Sequence, residues 1–268
     1  MKRRAYLVGV AGLSTAVAGC TTLFGDDESD RDVDPTTALN RIPNAAVSDD
    51  RELYITADAP AALVDVDDYA LREAVGESVS GIEASRVDAR AMIDPYRILV
   101  GSFDAADVTE LLEVTRDGTV GSFDRVVEDD GTAHAVGEDE AILRTVGQSD
   151  DTISLESIAD ASDGSDRLLE HHSVVERLCD QISTDTHVEM SLTPSNDEWH
   201  GFGVGYEVDS EESTATLVMV LTDAGRGLED DAVRDRFAFL FPGDLATDDI
   251  ERNADLVTAR TAIPTNDI

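Results

Sequence analysis

Residues 187–192 read HVEMSL, and residues 199–221 read WHGFGVGYEVDSEESTATLVMVL. In the first stretch Val188, Met190 and Leu192 alternate with His187, Glu189 and Ser191. Successive side chains of a strand point to opposite faces, so this is a strand with one face buried. In the second, His200–Val208 and Thr214–Leu221 are two strand-like runs on either side of DSEES, the pattern of a hairpin. Gly201, Gly203 and Gly205 fall on one face of the first run. A strand face without side chains fits a bulge or the close approach of another part of the chain. A dinucleotide loop is excluded, because its glycines must lie between a strand and a helix. Phe202 and Tyr206 share the other face with Val204 and Val208, which reads as core packing, with an aromatic binding surface as the alternative.

Working outward, a helix is predicted over Leu228–Phe241, stopped by Pro242-Gly243, and a last strand over Asp255–Ile263. Upstream, the pattern predicts a strand at Glu52–Ala57 and a short helix at Asp67–Val75. Strands at Ser85–Ile93 and Tyr96–Phe103 follow, about an Asp94-Pro95 turn. Asp104 is placed to cap a helix whose Val108, Leu111 and Leu112 lie on one face. Three strand-like segments come next, Thr119–Val127, Thr132–Val136 and Ala141–Val146. Between the halves, one helix is predicted from Asp166 to Ile182, with Leu168, His172, Val175, Cys179 and Ile182 as its core stripe. On that stripe Cys179 is a buried small hydrophobe rather than a reactive thiol.

Each half therefore runs strand, hairpin, helix, strand. The expected class is α+β, an antiparallel sheet with packed helices, with the halves as two related strand–hairpin–helix–strand units. The boundaries read as 1–19 for a signal segment, 20–50 for a disordered acidic tether, 51–183 for the first unit and 184–268 for the second, the two units being free to form one domain. Within the tether Asp30, Asp32 and Asp34 alternate like the start of a calcium loop. Pro35 stands where that loop needs glycine, and Arg41 where it needs glutamate, which excludes it.

The beginning of the chain differs from all of this. There are 58 acidic residues, and none precedes Asp26. Lys2, the only lysine, stands with Arg3 and Arg4 ahead of an uncharged run from Ala5 to Gly25. A positive start, a short apolar stretch and then small residues is the order of a secretory signal. Positive charge stays inside, so the rest of the chain is placed outside. An uncleaved anchor is the other reading, since about 20 apolar residues can span a bilayer. Arg3-Arg4 followed by Ala5-Tyr6-Leu7 resembles a twin-arginine export signal. Val17-Ala18-Gly19-Cys20 resembles a lipobox, with valine where leucine is usual, and the resemblance implies cleavage before Cys20 and lipid on its thiol.

Net charge is −38, and loss of residues 1–19 with their three cations would make it −41, with arginine as the only remaining cation. Such charge strains a compact fold by self-repulsion. Molar salt relieves it by shortening the screening length to about 3 Å. A carboxylate surface with arginine alone for counter-charge is similar to the proteins of halophilic archaea. Signal, lipobox and composition together resemble haloarchaeal exported lipoproteins. Nucleic acid is excluded as a partner, because phosphate contacts need clustered Lys and Arg.

Chemistry-bearing motifs are sparse. The five histidines are His134, His171, His172, His187 and His200. His171 and His172 with Glu176 are the weak metal candidates, since His172 and Glu176 would share a helix face. They lack the H-E-x-x-H spacing, and the apolar stripe makes His172 a boundary residue. No catalytic residue and no cofactor is implied. With Cys20 lipidated, Cys179 has no disulfide partner. The expected function is a lipid-anchored cell-surface protein that binds a surface partner or supports envelope assembly without catalysis. A histidine/carboxylate surface hydrolase and a small-solute-binding lipoprotein are the alternatives.

Overall fold

The computed structural model describes residues 34–48, 52–63, 82–145, 153–182, 186–194, 196–209, 212–240 and 250–265. The signal segment with Arg3, Arg4 and Cys20, the first part of the tether and the expected helix at Asp67–Val75 lie outside the described residues.

The described residues form twelve strands, most of them with an alternating or continuous apolar pattern. They are β1 (Leu53–Asp58), β2 (Val87–Ile93), β3 (Tyr96–Gly101), β4 (Thr115–Val120), β5 (Phe123–Val127), β6 (Ala133–Val136), β7 (Glu140–Arg144), β8 (His187–Leu192), β9 (Trp199–Glu207), β10 (Glu212–Leu221), β11 (Ile250–Asn253) and β12 (Leu256–Pro264). All join one sheet in the order β11-β12-β10-β9-β8-β1-β2-β3-β7-β6-β5-β4. Every described pairing in it is antiparallel. The fold is thus α+β, as expected, but richer in sheet. The two halves meet where β1 pairs β8, with Leu53 opposite Leu192 and Asp58 opposite His187. Outward from this seam the order is β1-β2-β3-β7 on one side and β8-β9-β10-β12 on the other.

Helices cover both faces. On one face lies the largest core, built from Ile55, Ala57, Ala91, Ile93, Val188, Met190 and Leu192. It is covered by α1 (Thr36–Leu39), α4 (Leu155–Ser162), α5 (Leu168–His171) and α6 (Ser173–Cys179). The other face carries two separate cores. One contains Val87, Leu99, Val136 and Leu143 under α2 (Pro60–Leu63) and α3 (Ala105–Leu112), through Leu63 and Val108. The second contains Val204, Leu217, Met219 and Val257 under α7 (Asp230–Leu240), through Val233 and Phe237. Among the described residues no helix is long and apolar enough to cross a membrane.

Four expectations are corrected. The tether is not disordered throughout: Asp34 Oδ1 accepts a hydrogen bond from Thr36 N–H, and α1 buries Ala38 and Leu39 beside Ile42. Its backbone is tied down as well, Asn44 N–H donating to Asp166 O (2.7 Å) and Leu168 N–H to Ile42 O (2.8 Å). A short apolar set, Ala38, Leu39, Ile42 and Ala46, provides enough burial to hold this piece on the sheet. Second, the helix at 166–182 is broken. His172 has an extended backbone (φ −113°, ψ 99°) between α5 and α6, yet Leu168, Val175 and Leu178 all reach the core. Third, Thr119–Val127 is a turn and two strands, because Gly121 takes φ +53° and reverses the chain between β4 and β5. Fourth, Leu111 is exposed while Val108 is buried. Helix α4 was not foreseen, although Ser154 and Ser157 form a capping box ahead of Leu155 and Ile158.

The glycine face of β9 has a clear cause. A Cβ on Gly203 would lie 2.4 Å from Ile182 Cδ1, and one on Gly201 would lie 3.1 Å from Val174 Cγ1. Missing side chains let α6 and Ile182 rest on the strand. Gly203→Ala is expected to lower stability by about 1–3 kcal/mol through overpacking. Paired with Ile182→Ala, it should cost less than the sum of the single changes, as read by denaturant midpoints.

Candidate functional site

Neither of the two cores on the second face contains a residue of β1 or β8. There the seam shows its polar side: Tyr54, Thr56 and Asp58 from β1, and His187, Glu189 and Ser191 from β8. Next to it lie Arg90 and Met92 of β2 and Tyr206 of β9. A polar stripe therefore separates two apolar cores.

At one end of the stripe Asp58 and Arg90 form a buried ion pair, 1% and 2% exposed. Arg90 Nε donates to Asp58 Oδ1 at 3.0 Å, and Nη2 donates to Oδ2. The two residues are cross-strand partners in the β1–β2 register. The planar guanidinium matches the carboxylate edge on, which an ammonium could not do.

In the middle, Glu189 gathers two neighbours. Tyr54 donates its hydroxyl to Oε2 (2.8 Å), and His187 Nε2 lies 3.1 Å from Oε1. The His187 ring also meets Tyr206, with centroids 5.6 Å apart. The hydrogen bond from His187 holds the Glu189 carboxyl below its ordinary range, against the opposing effect of burial. Burial, and then the Glu189 charge, raise the Tyr54 and Tyr206 phenols. Both phenols therefore keep their protons. At the open end, Ser191 donates to Glu52 at 2.7 Å.

Beside this end opens a cavity of about 360 Å³, lined by Tyr54, Thr56, Met92, Asp94, Arg97 and Thr145 among others. Tyr54 is 52% exposed there. Thr56 Oγ1 and His187 Nδ1 are buried without a hydrogen-bond partner among the described residues.

The sequence candidates lie elsewhere. His171 faces solvent 3.9 Å from Asp166, and His172 caps α6 with its backbone only. The break at His172 removes the continuous helix that was to carry His172 and Glu176 on one face. Burial, then the nearby His200, lower the His172 imidazole from its usual value. Among the described residues no group of three His, Cys, Asp or Glu is placed to hold a metal. His134 is buried and structural: its Nδ1 accepts from Arg144 N–H (3.0 Å) and its Nε2 lies 2.8 Å from Glu128. Burial raises the Cys179 thiol to about 12, so it stays protonated beside Met190. Phe202 and Tyr206 do pack in a core. Sequence reasoning missed Asp58 and Arg90, which sit 32 residues apart and become neighbours only through strand pairing. The polar positions of HVEMSL were the available signal, read simply as the outer face.

This is an α+β protein built on one large antiparallel sheet with a polar seam at its centre. No protein-family model matches the chain, and no curated protein does. Among solved structures it is similar to TP0453. Crystal form I of that protein gives a TM-score of 0.50 at 12% identity, over 84% of this chain and 93% of that one. Crystal forms III and IV give 0.49 and 0.45, at 12% and 10% identity, over the same share of this chain. The likeness is one of fold.

Asp58→Asn is expected to destabilise by about 3–5 kcal/mol by leaving Arg90 buried beside a neutral partner. A double change of Asp58 and Arg90 to apolar residues of similar volume should cost less, as read by urea unfolding. Glu189 titrates lower in the folded chain than in the unfolded one, so its contribution is present above pH 4.5 and is lost as pH falls through the folded value. The melting temperature of Glu189→Gln should lie below the parent at pH 6, and the gap should close towards pH 3.

Proposed function

We propose that the chain is a lipid-anchored cell-surface protein of a halophile whose sheet domain binds a ligand or partner without catalysis. One observation carries this reading: Lys2-Arg3-Arg4, the uncharged run and Val17-Ala18-Gly19-Cys20 stand in the order of an export and lipidation signal. Cys20 is the lipid attachment point, Arg3 and Arg4 belong to the export signal, and the membrane is reached through that lipid. A stable anchor takes more than one acyl chain, since one alone holds marginally. Net charge of −38 supports the halophilic setting. So do bidentate arginine pairs such as Arg177–Asp255 and Arg236–Glu198, which a lysine could not make. The mirrored strand order about β1 and β8 supports reading the halves as two related units. Support for binding over hydrolysis comes from the stripe, where His187 and Tyr54 are both engaged by one carboxylate. They build a rigid surface beside an open cavity.

Cys20→Ser should release the protein to the medium or leave an unprocessed precursor, seen by fractionation and mass. Persistence at the membrane at processed size would overturn the lipid reading. Dilution from molar to millimolar salt should lower the melting temperature, because self-repulsion grows as screening weakens. An unchanged melting point would remove the halophilic setting.

A further inference from the structure

The cavity beside Tyr54 has a chemistry that the seam does not use. Its volume of about 360 Å³ falls within the range of about 300–1,000 Å³ usual for small-molecule sites. Its most exposed apolar element is the ring of Tyr54, half in solvent and held still because its hydroxyl is bonded to Glu189. A pinned ring loses little freedom when something stacks on it. Around the ring stand Glu52 and Asp94 with Arg97, so both signs of charge line one opening. Thr56 also lines the opening, with its hydroxyl oxygen buried behind that wall.

Mixed donors and acceptors around one flat apolar platform select the ligand class. A simple anion would face Glu52 and Asp94, and a simple cation would face Arg97. A lipid chain would leave the carboxylates and the guanidinium desolvated. A neutral ligand with one apolar face and many hydroxyls meets all of these demands, because each hydroxyl both donates and accepts. We propose that this cavity binds a saccharide unit, stacked through its C–H face on Tyr54 and hydrogen-bonded at its rim to Glu52, Asp94 and Arg97. This deepens the binding reading above and rests on it. It is tested separately, since lipid attachment at Cys20 stands or falls by fractionation.

The experiment uses the full chain in high salt, with maltotetraose and tetra-N-acetylchitotetraose as probes and tetramethylammonium chloride as the cationic comparison. Saturation-transfer NMR reports contact, and calorimetry reports affinity. Expected is transfer to the ring C–H protons of at least one sugar, with Kd of about 1 mM or tighter. Tyr54→Ala should abolish it, whereas Tyr54→Phe, which keeps the ring, should retain it within about threefold. Thermal melting of both variants shows that they are folded. The proposal is overturned if neither sugar receives saturation, if Tyr54→Ala leaves the transfer unchanged, or if tetramethylammonium binds more tightly than both sugars.

Discussion

Pairing between β1 and β8 is the contact on which the rest of the fold depends. It is the only place where the described strands of the two halves are hydrogen-bonded to each other, and it makes one twelve-stranded sheet of them. Leu53 opposite Leu192 and Ile55 opposite Met190 set its register from the buried face. A slip of one residue would turn the apolar set of one strand, Ile55 and Ala57 of β1 or Val188 and Met190 of β8, out of the main core and bring Asp58 or Glu189 into it. Alternation on both strands therefore locks the seam, and the seam fixes where every later strand can add.

That same register has a consequence on the other face. Because the buried positions of β1 and β8 go to the main core, their polar positions are left together between the two smaller cores. Asp58 and His187 become direct neighbours across the seam, as do Thr56 and Glu189. A polar stripe inside a large sheet is tolerable because its members bond to one another. Arg90 bonds to Asp58, and Glu189 to Tyr54 and to Nε2 of His187, while Thr56 Oγ1 and His187 Nδ1 have no partner among the described residues. Burial of the Asp58–Arg90 pair does not by itself argue for stability, since two charges leave water to form it. What it supplies is a penalty on any packing that separates β1 from β2.

The helices follow the sheet. Gly201 and Gly203 admit Val174 and Ile182 onto β9, so α6 can lie low over the second half. Segment 34–48 then closes against α5 through Ile42 and Asn44. Asp255 is held by Arg177 of α6 and by Arg226, which ties the turn between β11 and β12 back to the helical layer. At Asp255 arginine serves as a fork that can reach two acceptors, consistent with its use as the sole cation beyond Lys2.

Strands were the most legible part of the sequence, because period-two alternation in HVEMSL and in Thr214–Leu221 states both the element and its buried face. The helix expected over Leu228–Phe241 and found at Asp230–Leu240, and the turn at Asp94-Pro95, were legible from local stop and turn signals. Glycines on one face of β9 announced a close approach, though not what approached. Less visible was the docking of 34–48, a stretch whose polarity hid four apolar residues spaced to meet a surface. The single helix expected at 166–182 obeyed its local period, but backbone bonds to Ile42 and Asn44 hold its first turn and the chain breaks at His172. Of the candidate site almost nothing was local. Composition determined the charge, and local periodicity determined the α+β class, both legible along the chain. Long-range strand pairing alone decided that Asp58 meets Arg90, that Tyr54 meets Glu189, and that a cavity opens beside them. Those contacts join residues from 32 to 135 positions apart, beyond the reach of any local pattern.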